Sequence, residues 1–226
     1  MDATFDDRAA LLGETLVIAD LHVGRGPSSN LELPVGDGSD MLERVRTLLD
    51  RHEPAELVVA GDLLHSFETI PRTVRQTVDG IAAAAREAGA RVVVTPGNHD
   101  TMLGSVWSGP TADEHRVDET VVLHGHRPPD TDADRYVLGH DHPTIEIEGQ
   151  RRPCYLYGEG VYDGADVLLL PHFNRLIPGV VVNEMRADDF MSPLVRDVDS
   201  FRPIVPHRED EDTLTFPPLG EFREML

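Results

Sequence analysis

Thr15-Leu16-Val17-Ile18-Ala19 runs without a break into Asp20-Leu21-His22. Five β-branched and aliphatic residues in a row read as a short strand buried on both faces, and the polar pair begins where that strand ends. The arrangement recurs. Glu56-Leu57-Val58-Val59-Ala60 is followed by Gly61-Asp62, and Arg91-Val92-Val93-Val94-Thr95 is followed, after Pro96, by Gly97-Asn98-His99-Asp100. Between these strands lie helical patterns. Asp40 to Arg51 carries Met41, Val45, Leu48 and Leu49 on one face, with Ser39 available as a cap. Pro71 to Ala90 opens on a proline and presents Val74, Val78, Ile81 and Ala82. Strand–helix–strand alternation implies parallel strands joined by right-handed crossovers. Beyond Gly104 the helical patterns fade. Val121-Val122-Leu123, Tyr136-Val137-Leu138 and Val167-Leu168-Leu169-Leu170 read as further strands, and Thr144 to Tyr157 as a strand–turn–strand unit. The expected fold class is α/β in four layers, αββα: two packed mixed β-sheets flanked by helices.

The chain of 226 residues and 25.0 kDa suffices for one well-buried domain over 1–226, ending in a weakly patterned acidic tail from about 205. No apolar run nears the roughly 20 residues of a membrane span. The start, Met1-Asp2-Ala3-Thr4-Phe5, lacks the features of a signal peptide, and the single Cys154 forms no internal disulfide. A cytoplasmic protein without a membrane partner is expected.

Forty-one acidic residues face 20 basic ones, for a formal charge of −21 and a pI near 4.7. Every basic residue is an arginine; there is no lysine. The acids are spread throughout, with one denser run at Glu209-Asp210-Glu211-Asp212. A global excess of this kind suits molar salt, where the Debye length shrinks to about 3 Å and self-repulsion weakens. In low salt such a surface repels nucleic acid; in a halophilic setting that objection falls away.

In an α/β sheet, chemistry collects beyond the carboxyl ends of the strands. Here those ends carry Asp20-Leu21-His22, Gly61-Asp62, Gly97-Asn98-His99-Asp100, His124-Gly125-His126 and Gly139-His140-Asp141-His142. Any one of them alone reads as a solvated turn. Five together, nearly all beside glycine, point to a metal site. In Asp-x-His, alternation along an extended segment sends both side chains the same way, so both can grip one cation, and His140 and His142 share that relation. The glycines before Asp62, Asn98 and His140 allow close approach. Aspartate, asparagine and histidine together suit manganese, iron or zinc; no Cys-x-x-Cys offers a structural zinc.

The ordered set Asp-x-His, Gly-Asp, Gly-Asn-His-Asp, His-Gly-His and Gly-His-x-His, from Asp20 to His142, resembles the calcineurin-like metallophosphoesterase superfamily. The resemblance implies two divalent ions, manganese foremost, with Asp20, His22 and His142 on the first, Asn98, His124 and His140 on the second, and Asp62 bridging them. It makes His99 the catalytic histidine near the leaving group, oriented by Asp100. His65 stands where many members carry aspartate or asparagine. With the stretches Ala19–Gly24 and Ala60–Ser66 it is similar to the SbcD-type nuclease subunit of double-strand-break repair, where such a histidine supports catalysis; a purely structural His65 is the alternative. The chain is shorter than those nucleases and resembles small stand-alone archaeal phosphoesterases. His126 is expected behind the ligands or facing solvent, and Asp141 to point away from them.

The implied chemistry is a hydrolase mechanism. Two cations about 3.5–4 Å apart share a bridging water, lower its pKa, and the resulting hydroxide attacks phosphorus in line with the leaving oxygen. The leading substrate is a phosphodiester in nucleic acid or a nucleotide. Phosphomonoesters or phosphoprotein are the alternative, and a non-catalytic scaffold of the same fold is a third reading. Arg72, Arg75, Arg86, Arg91, Arg151 and Arg152 offer phosphate contacts, against the simpler reading of a salt-bridged surface. The run from Val167 through His172-Phe173-Asn174 reads as core.

Overall fold

The computed structural model describes residues 2–25, 37–65, 68–206 and 213–225. Ser66 and the acidic run from Glu209 to Asp212 lie outside them.

The three strands read from the sequence form over the expected residues. In chain order the first half holds β1 (Thr4–Asp6), β2 (Ala9–Leu12), β3 (Thr15–Ala19), α1 (Asp37–His52), β4 (Glu56–Ala60), α2 (Arg72–Glu87) and β5 (Arg91–Thr95). They build a five-stranded sheet in the order β1-β2-β3-β4-β5. The pairs β3–β4 and β4–β5 are parallel, while β1 and β2 add an antiparallel edge. β3 and β4 are buried at every position, which explains their continuous apolar sequence.

Side-chain alternation along these strands divides two cores. Leu16, Ile18, Leu57, Val59 and Val94 face α1 and α2, packing on Met41, Val45, Leu48, Leu49, Val74, Val78 and Ile81. Val17, Ala19, Val58 and Ala60 face the other way, onto Val122, Val137, Leu168 and Leu170 of a second sheet. Each buried Val, Leu or Ile stabilises the fold by about 1.5–3 kcal/mol. Two helix details differ from the sequence reading. Ser39 lies inside α1, which starts at Asp37. On α2, Ala84 and Ala85 complete the buried face while Ala82 stays half-buried, and the helix ends at Glu87.

The second half adds β6 (Glu114–Val117), β7 (Thr120–Leu123), β8 (Arg135–Leu138), β9 (Pro143–Ile147), β10 (Gln150–Pro153), β11 (Tyr155–Tyr162), β12 (Ala165–Leu169), β13 (Val180–Val181), β14 (Arg202–Pro206), β15 (Thr213–Thr215) and α3 (Leu219–Phe222). A seven-stranded sheet runs β15-β14-β11-β12-β8-β7-β6. Its centre, β7-β8-β12, is parallel and its flanks are antiparallel, a mixed sheet as expected. A third sheet, β10-β9-β13, sits apart and contains the hairpin expected within Thr144–Tyr157.

The fourth layer is thinner than a helical layer. Val182, Phe190, Leu194, Val195, Val198, Phe201, Leu219 and Phe222 cover the outer face of the second sheet, from turns and the four-residue α3. A segment with weak periodicity thus buries one apolar residue at a time. No helix among the described residues is long and apolar enough to cross a membrane.

Candidate metal centre

Parallel pairing does not stop where β3 and β4 end. Asp20 N donates to Gly61 O at 3.2 Å, His22 N to Asp62 O at 2.8 Å and Val23 N to Leu63 O at 2.9 Å, and His65 N returns to Val23 O at 3.2 Å. The two loops are zipped together, which fixes Asp20, His22 and Asp62 relative to one another. Their backbone is unusual. Asp20, His22, Asp62, His140 and His142 all have positive φ, between 40° and 74°. A left-handed non-glycine residue costs on the order of 1–3 kcal/mol and persists where its surroundings over-determine it, as at ligand-holding sites.

The side chains converge. His22 Nε2 lies 3.3 Å from His142 Nε2, and His142 Nε2 lies 3.4 Å from Asp20 Oδ1. Asp62 Oδ2 is 3.6 Å from His22 Nε2 and also 3.6 Å from His124 Nε2. His124 Nε2 in turn meets Asn98 Oδ1 at 3.0 Å, and the His124 and His140 rings stand 4.7 Å apart. Asp20 Oδ2 accepts His140 N at 2.9 Å. Its other oxygen faces His142 and, at 3.7 Å, His124 Nδ1 without completing a hydrogen bond of good geometry. The ligand atoms of Asp20, His22 and His142 lie within 4.8 Å of one another, as do those of Asp20, Asp62 and His124. Donors about 2.0–2.2 Å from a divalent ion stand about 2.8–3.6 Å apart at octahedral or tetrahedral angles. The observed separations and the donor chemistry fit such an ion.

The glycines make this convergence possible in a specific way. A Cβ on Gly61 would strike the His124 ring, one on Gly97 the Asp62 carboxylate, and one on Gly139 the carboxylate of Asp20. Each glycine preceding one candidate ligand leaves room for another ligand from a neighbouring strand.

Burial sets the electrostatics. It drives the imidazolium forms out, so that His22 and His124 fall to about 3 and His140 to about 4, despite the pull of Asp20. For Asp20 burial is outweighed by His142, His124 and His22, which hold the carboxyl at about 2. In His142, Asp20 overcomes burial and raises the ring. Asp62 is pushed up to about 7, first by burial and then by Asp20 and Asp100, against the hydrogen bond from His99 N. The cluster holds three neutral imidazoles, with His142 more readily protonated, around one firmly ionised and one easily protonated carboxylate.

His99 sits beside this group. Its ring is 5.2 Å from that of His22 and stacks, at 5.9 Å and 18°, with that of His65. Ligand atoms of His22, His65 and His99 also lie within 4.8 Å of one another. Asp100 is buried, and its carboxylate accepts from Gly97 N (2.9 Å), Leu63 N (3.2 Å) and Leu64 N (2.8 Å). It therefore ties the Gly97 turn before His99 to the loop that follows Asp62. His126 is half-buried with its ring 5.0 Å from that of His124. Asp141 points away and accepts Met191 N and Ser192 N, at 2.7 and 3.2 Å.

The side chains that sequence marks as candidate ligands are thus brought together in one cluster. Residues 14–117 match the Calcineurin-like phosphoesterase family. That span supplies Asp20, His22, Asp62, Asn98 and His99, and the structure brings His124, His140 and His142 to them from beyond it. The architecture is the metallophosphoesterase fold. It is similar to the crystal structure of Pseudomonas putida nuclease MPE, with a TM-score of 0.66 and 22% identity over 93% of this chain and 92% of that one. A phosphoesterase from E. coli, Yfce, aligns at a TM-score of 0.45 and 14% identity over 90% of this chain and 98% of that chain. No curated protein compared with the chain matches it.

The arginines proposed for phosphate contact mostly serve the surface of this phosphoesterase fold. Arg91 pairs with Glu56 and Arg151 with Glu146, Arg75 donates to Ser105 O and Arg152 to Gln150. Arg72 and Arg86 have no ion-pair partner among the described residues. The sequence reading missed Asn174, whose side chain donates to Leu21 O, and the arginines Arg8 and Arg44 behind it. Asn174 ends an apolar run with polar residues, as the ligands do, but lacks the neighbouring glycine that distinguished them.

Proposed function

We propose that the protein is a dinuclear, metal-dependent phosphoesterase, a hydrolase acting on phosphodiesters of nucleic acid or nucleotides. The observation that carries the reading is the position of Asp62 Oδ2, equidistant at 3.6 Å from His22 and His124. A carboxylate between two imidazoles, each with its own further partners, suits a ligand shared by two ions. Asp20, His22 and His142 would hold the first ion; Asn98, His124 and His140 would hold the second.

Two divalent ions held there would supply Lewis acidity and a water that ionises near neutral pH. The protein's part is arrangement. Asp62 aligns both halves, and its Oδ1 receives His99 N at 2.9 Å, which ties the His99 backbone to the ligand between the halves. His99 and His65 lie beside His22, where they would meet a phosphate held by the ions. His99 donates a proton to the departing oxygen, and His65 steadies the same phosphate. Asp100 keeps His99 in place through the backbone.

The test compares bis-p-nitrophenyl phosphate with p-nitrophenyl phosphate in molar salt with manganese. Preferential, metal-dependent hydrolysis of the diester is expected. Preference for the monoester overturns the diester assignment, and metal-independent turnover or none overturns the enzyme itself.

A further inference from the structure

Residues 172–174 fall within the apolar run that sequence assigns to the core, yet they touch the ligand turn on both sides of Asp20. Phe173 N donates to Ala19 O at 2.7 Å, and Asn174 Nδ2 donates to Leu21 O at 3.1 Å. The Asn174 amide has one available orientation, because its Oδ1 accepts Leu176 N at 2.9 Å and so directs the NH2 at Leu21. The ring of His172 lies 5.4 Å from that of His142, and Val180 N, further along the same segment, donates to His142 O at 2.9 Å. One continuous stretch therefore contacts the surroundings of Asp20, His22 and His142.

The strap is itself anchored. His172, Phe173 and Asn174 are at most 2% exposed. Arg8 Nη1 donates to the carbonyls of His172 and Asn174, at 3.2 and 3.3 Å. Arg44 Nη1 donates to Phe173 O at 2.7 Å, its guanidinium lies 3.9 Å from the Phe173 ring centroid, and its Nε is bound to Asp7 at 2.7 Å. Two largely buried arginines are committed to three successive carbonyls.

A reason for this construction lies in the ligand turn. Asp20 and His22 both hold left-handed backbone, at φ 53° and 40°. The zipped β4 loop takes their N–H groups, and the strap takes the carbonyls of Ala19 and Leu21 that flank Asp20. Held from one side, the turn could relax toward ordinary φ; held from both, it keeps the ligands aimed at a common point.

We infer that the His172–Asn174 strap is the positioning element of the first metal site, with Asn174 as a positioning residue acting through Leu21 on Asp20 and His22. The inference rests on the dinuclear reading above. The experiment titrates manganese into the metal-free full-length chain and into Asn174→Ala and Asn174→Asp. The aspartate variant is isosteric and keeps the acceptor for Leu176, but sets an oxygen against Leu21 O; it serves where the alanine variant does not fold. Circular dichroism checks the fold. Expected is a drop of at least tenfold in affinity at one of two sites, the other unchanged, with the electron paramagnetic resonance signal of a coupled manganese pair giving way to that of an isolated ion. Unchanged affinities at both sites, even with a lowered melting temperature, overturn the inference, since that is a merely structural role. Equal weakening of both sites also overturns it. Fewer than two ions bound by the wild-type chain overturns the dinuclear reading as well.

Discussion

His22 Nε2 and His142 Nε2 stand 3.3 Å apart, although 120 residues separate them in the chain. Without an ion, two imidazole nitrogens at that distance share one proton at most. Divalent metal should therefore stabilise the folded chain strongly. At a hundredfold excess over the dissociation constant, about 2.7 kcal/mol is expected. A melting temperature that rises with manganese and falls back with chelator is the anticipated result; one indifferent to both would contradict the site.

Gly97 faces the Asp62 carboxylate with no room for a methyl group. Gly97→Ala must displace Asp62 or the loop before Asn98. Overpacking of this kind costs about 1–3 kcal/mol. Denaturant melts should show that loss, and metal analysis should show reduced occupancy, although the substitution adds no charge and removes no ligand.

The Asp62 carboxyl, raised to about 7, must lose its proton to bind metal. Metal affinity should climb as pH rises through 7. His22, His124 and His140, at about 3 to 4, are neutral through that window and impose no such dependence, whereas His142, raised by Asp20 against burial, adds to the climb. In the metal-free chain the sign reverses. Asp62 titrates higher in the fold than its ordinary 3.8, so its stabilising effect is present below about 4 and is lost as pH rises through 7. The stability difference between wild type and Asp62→Asn, followed by denaturation across pH 4–8 without metal, isolates this term. A flat difference would refute it.

His99→Ala should keep both metals and lose turnover by about a hundredfold or more, the usual contribution of a general acid. Asp62→Ala should instead deplete bound metal. Measuring metal content and kcat on the same samples separates the two roles. Full activity in the His99 variant would remove it from the reaction.

Sequence alone was enough for β3, β4 and β5 to their end residues, and it named seven candidate ligands at strand ends that the fold gathers. Both follow from local rules: apolar β-branched runs make buried strands, and side chains at their carboxyl ends share an edge. The same local reading failed for Val182 to Phe222. There burial is assembled from isolated residues with no period to detect.

The tertiary structure decided which groups meet. That Gly97 makes room for Asp62, that Asp100 binds Leu63 and Leu64, and that Asn174 holds Leu21 are relations between residues at least 35 positions apart, set by which strands pair and how the sheets pack. Periodicity registers the environment of one segment and carries no information about its distant partner. So the chemistry of the centre was legible as a list of residues. Its geometry, with Asp62 between His22 and His124 and the strap behind Asp20, exists only once the sheets have closed on each other.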